Sequence, residues 1–411
     1  MADEWETVEL GEVAAVRSGY AFKSSDWKES GIPVVKIANV KGGRLDMAGS
    51  SFVAEATAAK SGDFQLSTGD ILIAMTGYIG EVARVRRSDL PCVLNQRVGK
   101  FSVRDKNRLD PDFLYTFLAW TETRQFIEAL GYGSAQPNVS PSLIHKVELP
   151  LPPLAEQKAI AAVLGALDDK IELNRRMNVK LEEMARALFQ SWFVDFDPVR
   201  AKLDGRELVG LDQATADLFP ERFEETNLGH IPNGWEVKTL GEVIELAYGK
   251  PLKAEDRKHG PVCVYGANGP IGWHDEKLVS GPGIIVGRKG NPGVVTWAHG
   301  DFYPIDTTFY VKPIGACRSL FFFYYALSLH NLANLGADSA VPGLNRNHAY
   351  LSRQVIPSRA VLTAFDSQIA PIFAAIHANE KQTRSLALAR GMLLPKLLSG
   401  ELTVSRKPGP E

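Results

Sequence analysis

The residues of this 411-residue chain best suited to chemistry are cations and side-chain amides in loops. In the first 150 residues, Lys23, Lys36, Asn39, Lys41 and Arg44 fall in polar connecting stretches, and Tyr78 follows the Thr76–Gly77 turn. Asn95, Gln96 and Arg97 form a polar triplet directly after an apolar run, and Gln136 and Asn138 lie in "GSAQPN". Between residues 231 and 357 the counterparts are Tyr248, Lys250, Lys253, Asn268, Asn345 and Arg346, with Arg288, Lys289 and Asn291 in "GRKGNPG". The last loop holds two cations and an amide between glycines. Such groups match the edges of nucleic-acid bases: Arg or Lys pairs with guanine O6 and N7, Asn or Gln with adenine N6 and N7. The same cations also meet phosphates, which position a protein without specifying a sequence.

Catalytic patterns are missing by comparison. There is no GxxxxGK[ST] loop and no HExxH. "LPPL" lacks both the polar first residue and the aromatic of an amino-methyltransferase motif. Pro111–Asp112 with Glu156-Gln157-Lys158 has the letters of a nuclease PD…ExK pattern, but the spacing is long and the second part falls in the first turn of a helix. Eight histidines lack ligand spacing, so no metal site is expected. Cys92, Cys263 and Cys317 are too far apart for a CxxC pair and suit a reducing compartment. The start "MADEWETVEL" does not read as a signal peptide, and the apolar run "LFFFYYAL" is too short to span a bilayer. A cytoplasmic binding protein is expected.

The elements that must position these loops occur twice. "WETVELGEV" (5–13) returns as "WEVKTLGEV" (235–243), with six of nine positions identical, and Gly19, Lys23 and Asp26 match Gly249, Lys253 and Asp256. "ILIAMTGYIGEV" (71–82) is similar to "IIVGRKGNPGVV" (284–295), and "GSAQPNVS" (133–140) to "DSAVPGLN" (338–345). Each copy closes on a proline, Pro150 or Pro357, and is followed by a long helical pattern. The repeated order predicts two α+β modules and divides the chain into 1–150, a helical region 151–200, an acidic linker 201–230, a second module 231–357 and a second helical region 358–411. The linker carries three Lys/Arg against seven Asp/Glu.

Apolar positions stepping by four and three (Ile160, Leu164, Leu167, Ile171, Leu181, Ala185, Leu188) mark a heptad seam, interrupted by Asn174 and Asn178. The helix is expected to end near Phe193, before Asp197–Pro198. At 1.5 Å per residue it measures about 60 Å, long enough to serve more than one small domain. The second helix, from about Val361 to Leu398, has Ile372, Ile376, Thr383, Leu386, Leu393 and Leu397 on one seam, with a second register, weakened by Glu380 and Arg390, left open and with Pro371 and Pro395 as expected kinks. The two are expected to pair antiparallel within the chain, placing the modules about a pseudo-two-fold axis. Trp5 and Trp235 read as module-entry anchors, and Tyr20, Phe22 and Trp27 as packing.

The stretch from "LPLPPLAEQKAIAAVLGALDDKIELNRRM" through "LFQSWFVDFDPVRAKLDGRE" (149–207) resembles the central region of type I restriction–modification specificity subunits. "LLPKLLSGEL" (393–402) is similar to that family's C-terminal end, and "LGHIPNGWEVKTLGEV" (228–243) to the entry of its second target recognition domain. The resemblance implies two target recognition domains joined by an antiparallel coiled coil. Each domain would read one half of a split, asymmetric site in double-stranded DNA, and the helices would set the unread spacer. It also implies two modification (methyltransferase) subunits docked on the helices, with Lys158, Arg175, Arg176 and Arg186 as candidate contacts, and restriction subunits beyond them. S-adenosylmethionine, ATP and magnesium would belong to those partners. This chain would hold no cofactor and catalyse nothing.

Overall fold

The computed structural model describes residues 5–131, 137–207, 210–335 and 343–404. It is an α+β protein that divides into two units, Met1–Leu173 with Gln382–Glu411, and Asn174–Lys381. A central helix, Leu154–Phe193, and a C-terminal helix, Arg359–Leu398, each run 40 residues and contribute to both units.

In the first unit, an antiparallel sheet runs in the order Ala14–Ser18, Val98–Val103, Ile71–Ala74, Val82–Arg84. Side chains along a strand alternate between its faces. Ile73 accordingly enters one core, with Phe101, Phe113 and Leu114, while Leu72 and Ala74 enter another with Leu94 and Val98. Helix Pro111–Leu118 covers the first face. Asp110 caps it by accepting from the backbone N–H of Asp112 and Phe113, and Pro111 sits where a missing N–H costs nothing. The module is closed by a two-stranded pair, Glu6–Glu9 against Glu148–Leu151, with Thr7 opposite Pro150.

The second unit repeats the scheme. Its sheet order is Ile244–Tyr248, Thr308–Pro313, Gly283–Gly287, Val295–Ala298, again antiparallel, and Glu236–Thr239 pairs with Arg353–Ile356 as the closing strands. Helix Leu320–Leu329 packs on the sheet, capped by Ser319.

The two copies share contacts that their side chains conceal. Gly11 lies under His145 and Gly241 under Tyr350, where an added Cβ would come within 2.8 and 3.0 Å of the neighbour's Cβ. The same two side chains accept a strand N–H: Val16 donates to His145 Nε2 (3.0 Å) and Leu246 to the Tyr350 hydroxyl (2.9 Å). Burial and the Arg104 charge hold the His145 imidazole below its ordinary pKa, which keeps Nε2 free to accept.

The helix seams follow the expected positions in part: Ile160, Leu164, Ile171, Ala185, Ile376 and Leu397 are buried, whereas Phe189, Phe373 and Leu394 are buried one residue beyond the expected Leu188, Ile372 and Leu393. In the first unit, Ile160 and Leu164 share a core with Leu394, Leu397 and Leu398, and Arg390 pairs with Asp168 at 2.7 Å. In the second, Asn178 donates to the Ile376 carbonyl and accepts from Asn379, while Phe189 meets Phe365. Positions rising along one helix meet positions falling along the other, so the pairing is antiparallel. Pro371 and Pro395, expected as kinks, lie inside the continuous helix; Pro371 is solvent-exposed, where water can reach the carbonyl it leaves unpaired. By length and composition this helix passes for a membrane span, but Val361, Phe365, Ile369 and Phe373 are core residues of the second unit.

The acidic stretch 201–230 is more structured than a polar linker. It contains helix Gln213–Asp217 and most of a hairpin, Phe223–Thr226 with Gly229–Pro232. Phe219 is buried edge-on against Trp192 at 5.0 Å, beside Trp235. Trp235 is thus a core anchor at the module entry, and Trp5 packs against the first unit's core.

Glu156 and Gln157 have structural work at the helix start. Glu156 accepts from the Val404 N–H at 2.7 Å. Gln157 accepts from Asp110 N–H at 2.9 Å and donates to the Arg108 and Pro152 carbonyls at 2.8 Å each. Asp112 pairs with Arg84 at 2.8 Å. The PD…ExK letters therefore serve helix-end and loop tethering.

Candidate nucleic-acid interface

One end of each module's main sheet collects the polar loops. In the first unit, Ser18 ends a strand, Thr76 follows the strand Ile71–Ala74, and Gln96 and Arg97 precede Val98–Val103. Asn138 joins them through a bridge to Thr76, whose hydroxyl donates to Asn138 Oδ1 at 2.9 Å. These residues, with Met75, Val139, Ser140 and Pro141, line an open cavity of about 460 Å³. Asn138 keeps both amide hydrogens and one lone pair on Oδ1, which is what pairing with adenine requires. Gln96 and Arg97 are exposed beside it, and Tyr78 is exposed on the turn after Thr76 that Gly77 and Gly80, both at positive φ, allow. Asn95 Oδ1 accepts from the Arg97 N–H at 3.3 Å and shapes the triplet.

The equivalent end of the second unit's sheet is built on an aromatic ring. Tyr248 ends its strand, half exposed, and packs on Phe309 at 5.0 Å. The guanidinium groups of Arg288 and Arg346 lie 4.9 and 5.0 Å from its centroid. Arg288 also donates to the Asp306 carbonyl at 2.8 Å, so its fork is aimed. Lys289 bridges Gly343 as Thr76 bridges Asn138. Asn291 donates to Asn268 Oδ1, and Lys289, Asn268 and Asn291 are exposed. Arginines held over an aromatic ring and exposed amides on the same loops offer planar donors and acceptors.

Several predicted residues lie elsewhere or are held by the fold. Asn39 is buried; its amide donates to the Asp46 carbonyl at 2.7 Å and accepts from Lys36 N–H at 2.8 Å. Lys36 donates to Ser51 Oγ at 2.8 Å and lies over the Trp27 ring at 3.9 Å, within the Tyr20–Phe22–Trp27 aromatic group. Asn345 caps helix Arg346–Leu351, accepting from the N–H of Asn347 and His348. Lys41 and Arg44 face each other across a hairpin, and Arg44 reaches Glu172 of the central helix at 3.7 Å. Lys23, Lys250 and Lys253 are exposed on the loops that follow the first strand of each sheet, with Lys253 near Glu255 at 3.4 Å. Gln136 lies outside the described residues. Thr76, Ser18 and Ser140 belong to the cavity and carry no sequence signal beyond their place beside glycine turns and strand ends.

The buried cysteines offer no nucleophile: burial pushes the Cys92 thiol up to about 12 and the Cys317 thiol up to about 11.

The family model for the type I restriction modification DNA specificity domain matches residues 2–183. The HindI specificity subunit of Haemophilus influenzae is 27% identical, over 74% of this chain and 80% of its own length. The MjaIX specificity subunit of Methanocaldococcus jannaschii is also 27% identical, over 82% of this chain and 78% of its own. The crystal structure of a type I restriction-modification system S subunit from M. genitalium has a like fold, with a TM-score of 0.60 over 96% of both chains at 19% identity.

Proposed function

Because the chain belongs to the family of type I restriction–modification specificity subunits, we propose that it is the non-catalytic, DNA-reading component of such a complex. Each module reads one half of a split, asymmetric sequence in double-stranded DNA. The modules correspond to residues 1–150 and 231–357. The helical regions dock two modification subunits, which transfer a methyl group to adenine N6, and restriction subunits join the assembly. It works in the cytoplasm, where the host DNA is. The observation that carries the reading is the recurrence of a polar cluster at the same end of the same sheet in both modules: Thr76, Gln96, Arg97 and Asn138 in one, Tyr248, Arg288, Lys289 and Arg346 in the other.

Asn138, Gln96 and Arg97 read bases in the first module, and Arg288, Arg346 and Asn291 in the second. Lys23, Lys41, Lys250, Lys253 and Lys289 meet phosphates. The chain's formal net charge is only −2, so phosphate neutralisation by partner subunits supplies much of the affinity. Deleting the gene from its host and sequencing single DNA molecules for adenine methylation tests the proposal. Methylation at one split asymmetric sequence should disappear and return with the gene. An unchanged methylome in a host expressing the modification subunit refutes it.

A further inference from the structure

Far apart in sequence, His299 and His377 come face to face in the second unit. Their rings stack with centroids 4.8 Å apart and planes 17° from parallel. His299 follows the strand Val295–Ala298, while His377 lies on the C-terminal helix, three residues before Glu380. That spacing puts His377 and Glu380 on one helix face. His299 Nε2 is 3.8 Å from Glu380 Oε2, and one ligand-type atom from each of the three residues lies within 4.8 Å of the others. Trp297 and Phe373 pack against the His299 ring, and the Glu380 carboxylate is half exposed.

We propose that His299, His377 and Glu380 form a site for a divalent transition-metal ion of the zinc type. Two imidazoles and a carboxylate are the donor set of zinc sites with three protein ligands, and water takes the fourth position. Imidazole nitrogen favours such borderline ions over calcium or magnesium, which prefer oxygen ligands. Ligand atoms around tetrahedral zinc stand about 3.4 Å apart. The cluster must therefore contract, and rotation of the two rings with extension of the half-exposed Glu380 side chain supplies the movement. Trp297 and Phe373 lower the local dielectric and strengthen the metal–ligand attraction. A bound ion would tie the edge strand of the second module's sheet to the C-terminal helix.

The test uses the full chain, stripped of metal by chelator and titrated with Zn²⁺ against a chromophoric competitor, with thermal melting alongside. One Zn²⁺ should bind per chain and raise the melting temperature. His299→Ala and His377→Ala should each weaken binding at least tenfold and remove the thermal shift. His348→Ala, at an exposed histidine elsewhere in the unit, should change neither. Glu380→Gln alters only a half-exposed side chain, so it decides the matter if a histidine variant unfolds; it too should weaken binding about tenfold. Absence of stoichiometric uptake, or uptake that the Glu380→Gln and histidine variants leave unchanged, overturns the proposal.

Discussion

Replacing Tyr248 with leucine keeps apolar cover over Phe309 but removes the ring on which Arg288 and Arg346 rest. Both guanidinium groups stay on the protein, so total charge is unchanged; what is lost is the ring's share in orienting them, while Arg288 keeps the Asp306 carbonyl and Arg346 its place over the Tyr350 ring. Each stack, at 4.9 and 5.0 Å and half exposed, is worth about 0.5–1 kcal/mol. Losing both costs roughly 1–2 kcal/mol of preorganisation, or about 5- to 30-fold in affinity. The assay is fluorescence anisotropy of the assembled subunits on a duplex carrying the host's methylated sequence, repeated with base changes in each half. Tyr248→Leu should weaken binding within that range and relax discrimination in the half read by the second module, leaving the other half intact. Because no cation is removed, the dependence of affinity on salt should keep its slope. A loss below about twofold, or one spread equally over both halves, refutes the orienting role of the ring.

Tyr350→Phe removes one hydroxyl and leaves the Leu246 N–H buried without its acceptor; urea unfolding should show a loss of about 1–3 kcal/mol, and a loss under ~0.5 kcal/mol contradicts the tie. His145 makes the equivalent tie, and its imidazole titrates below the ordinary value, so the unfolded chain takes up the proton first. The stability it contributes is present above the unfolded pKa of about 6.5 and lost as pH falls through the lower folded value. His145→Gln should flatten that acid-side decline in pH-dependent unfolding, and an unchanged slope contradicts it. A double-mutant cycle on Asn178→Ala and Asn379→Ala should give a coupling of about 0.5–1.5 kcal/mol, whereas additive effects mean the amide pair does not hold the helix register.

The repeat, the long helices and the end of the central helix at Phe193 were legible because they rest on periodicity and on proline, which act locally. The ties under Gly11 and Gly241 were not, since histidine and tyrosine share no letter yet place an acceptor at the same strand N–H. The fate of individual loop amides was hidden for a similar reason. Asn39, Asn138 and Asn345 look alike in sequence; one is consumed inside a turn, one faces an open cavity, and one caps a helix. The choice is made by the neighbours that the fold brings in: Asp46, Thr76 and the N–H groups of Asn347 and His348. Composition misled at 201–230, where acidic residues surround Phe219, whose burial against Trp192 holds the segment in the second unit's core. The histidines gave no spacing signal because His299 and His377 meet only through the packing of a strand end on a helix.

The most direct measurement of the central claim is the methylated sequence written by a hybrid chain. Residues 1–150 are exchanged for the corresponding module of another specificity subunit, and the host methylome is read by single-molecule sequencing. One half of the split sequence should change to the donor's, and the half read by residues 231–357 should remain. A hybrid that folds and supports methylation but writes both halves anew, or leaves both unchanged, contradicts the assignment of one reader to each module.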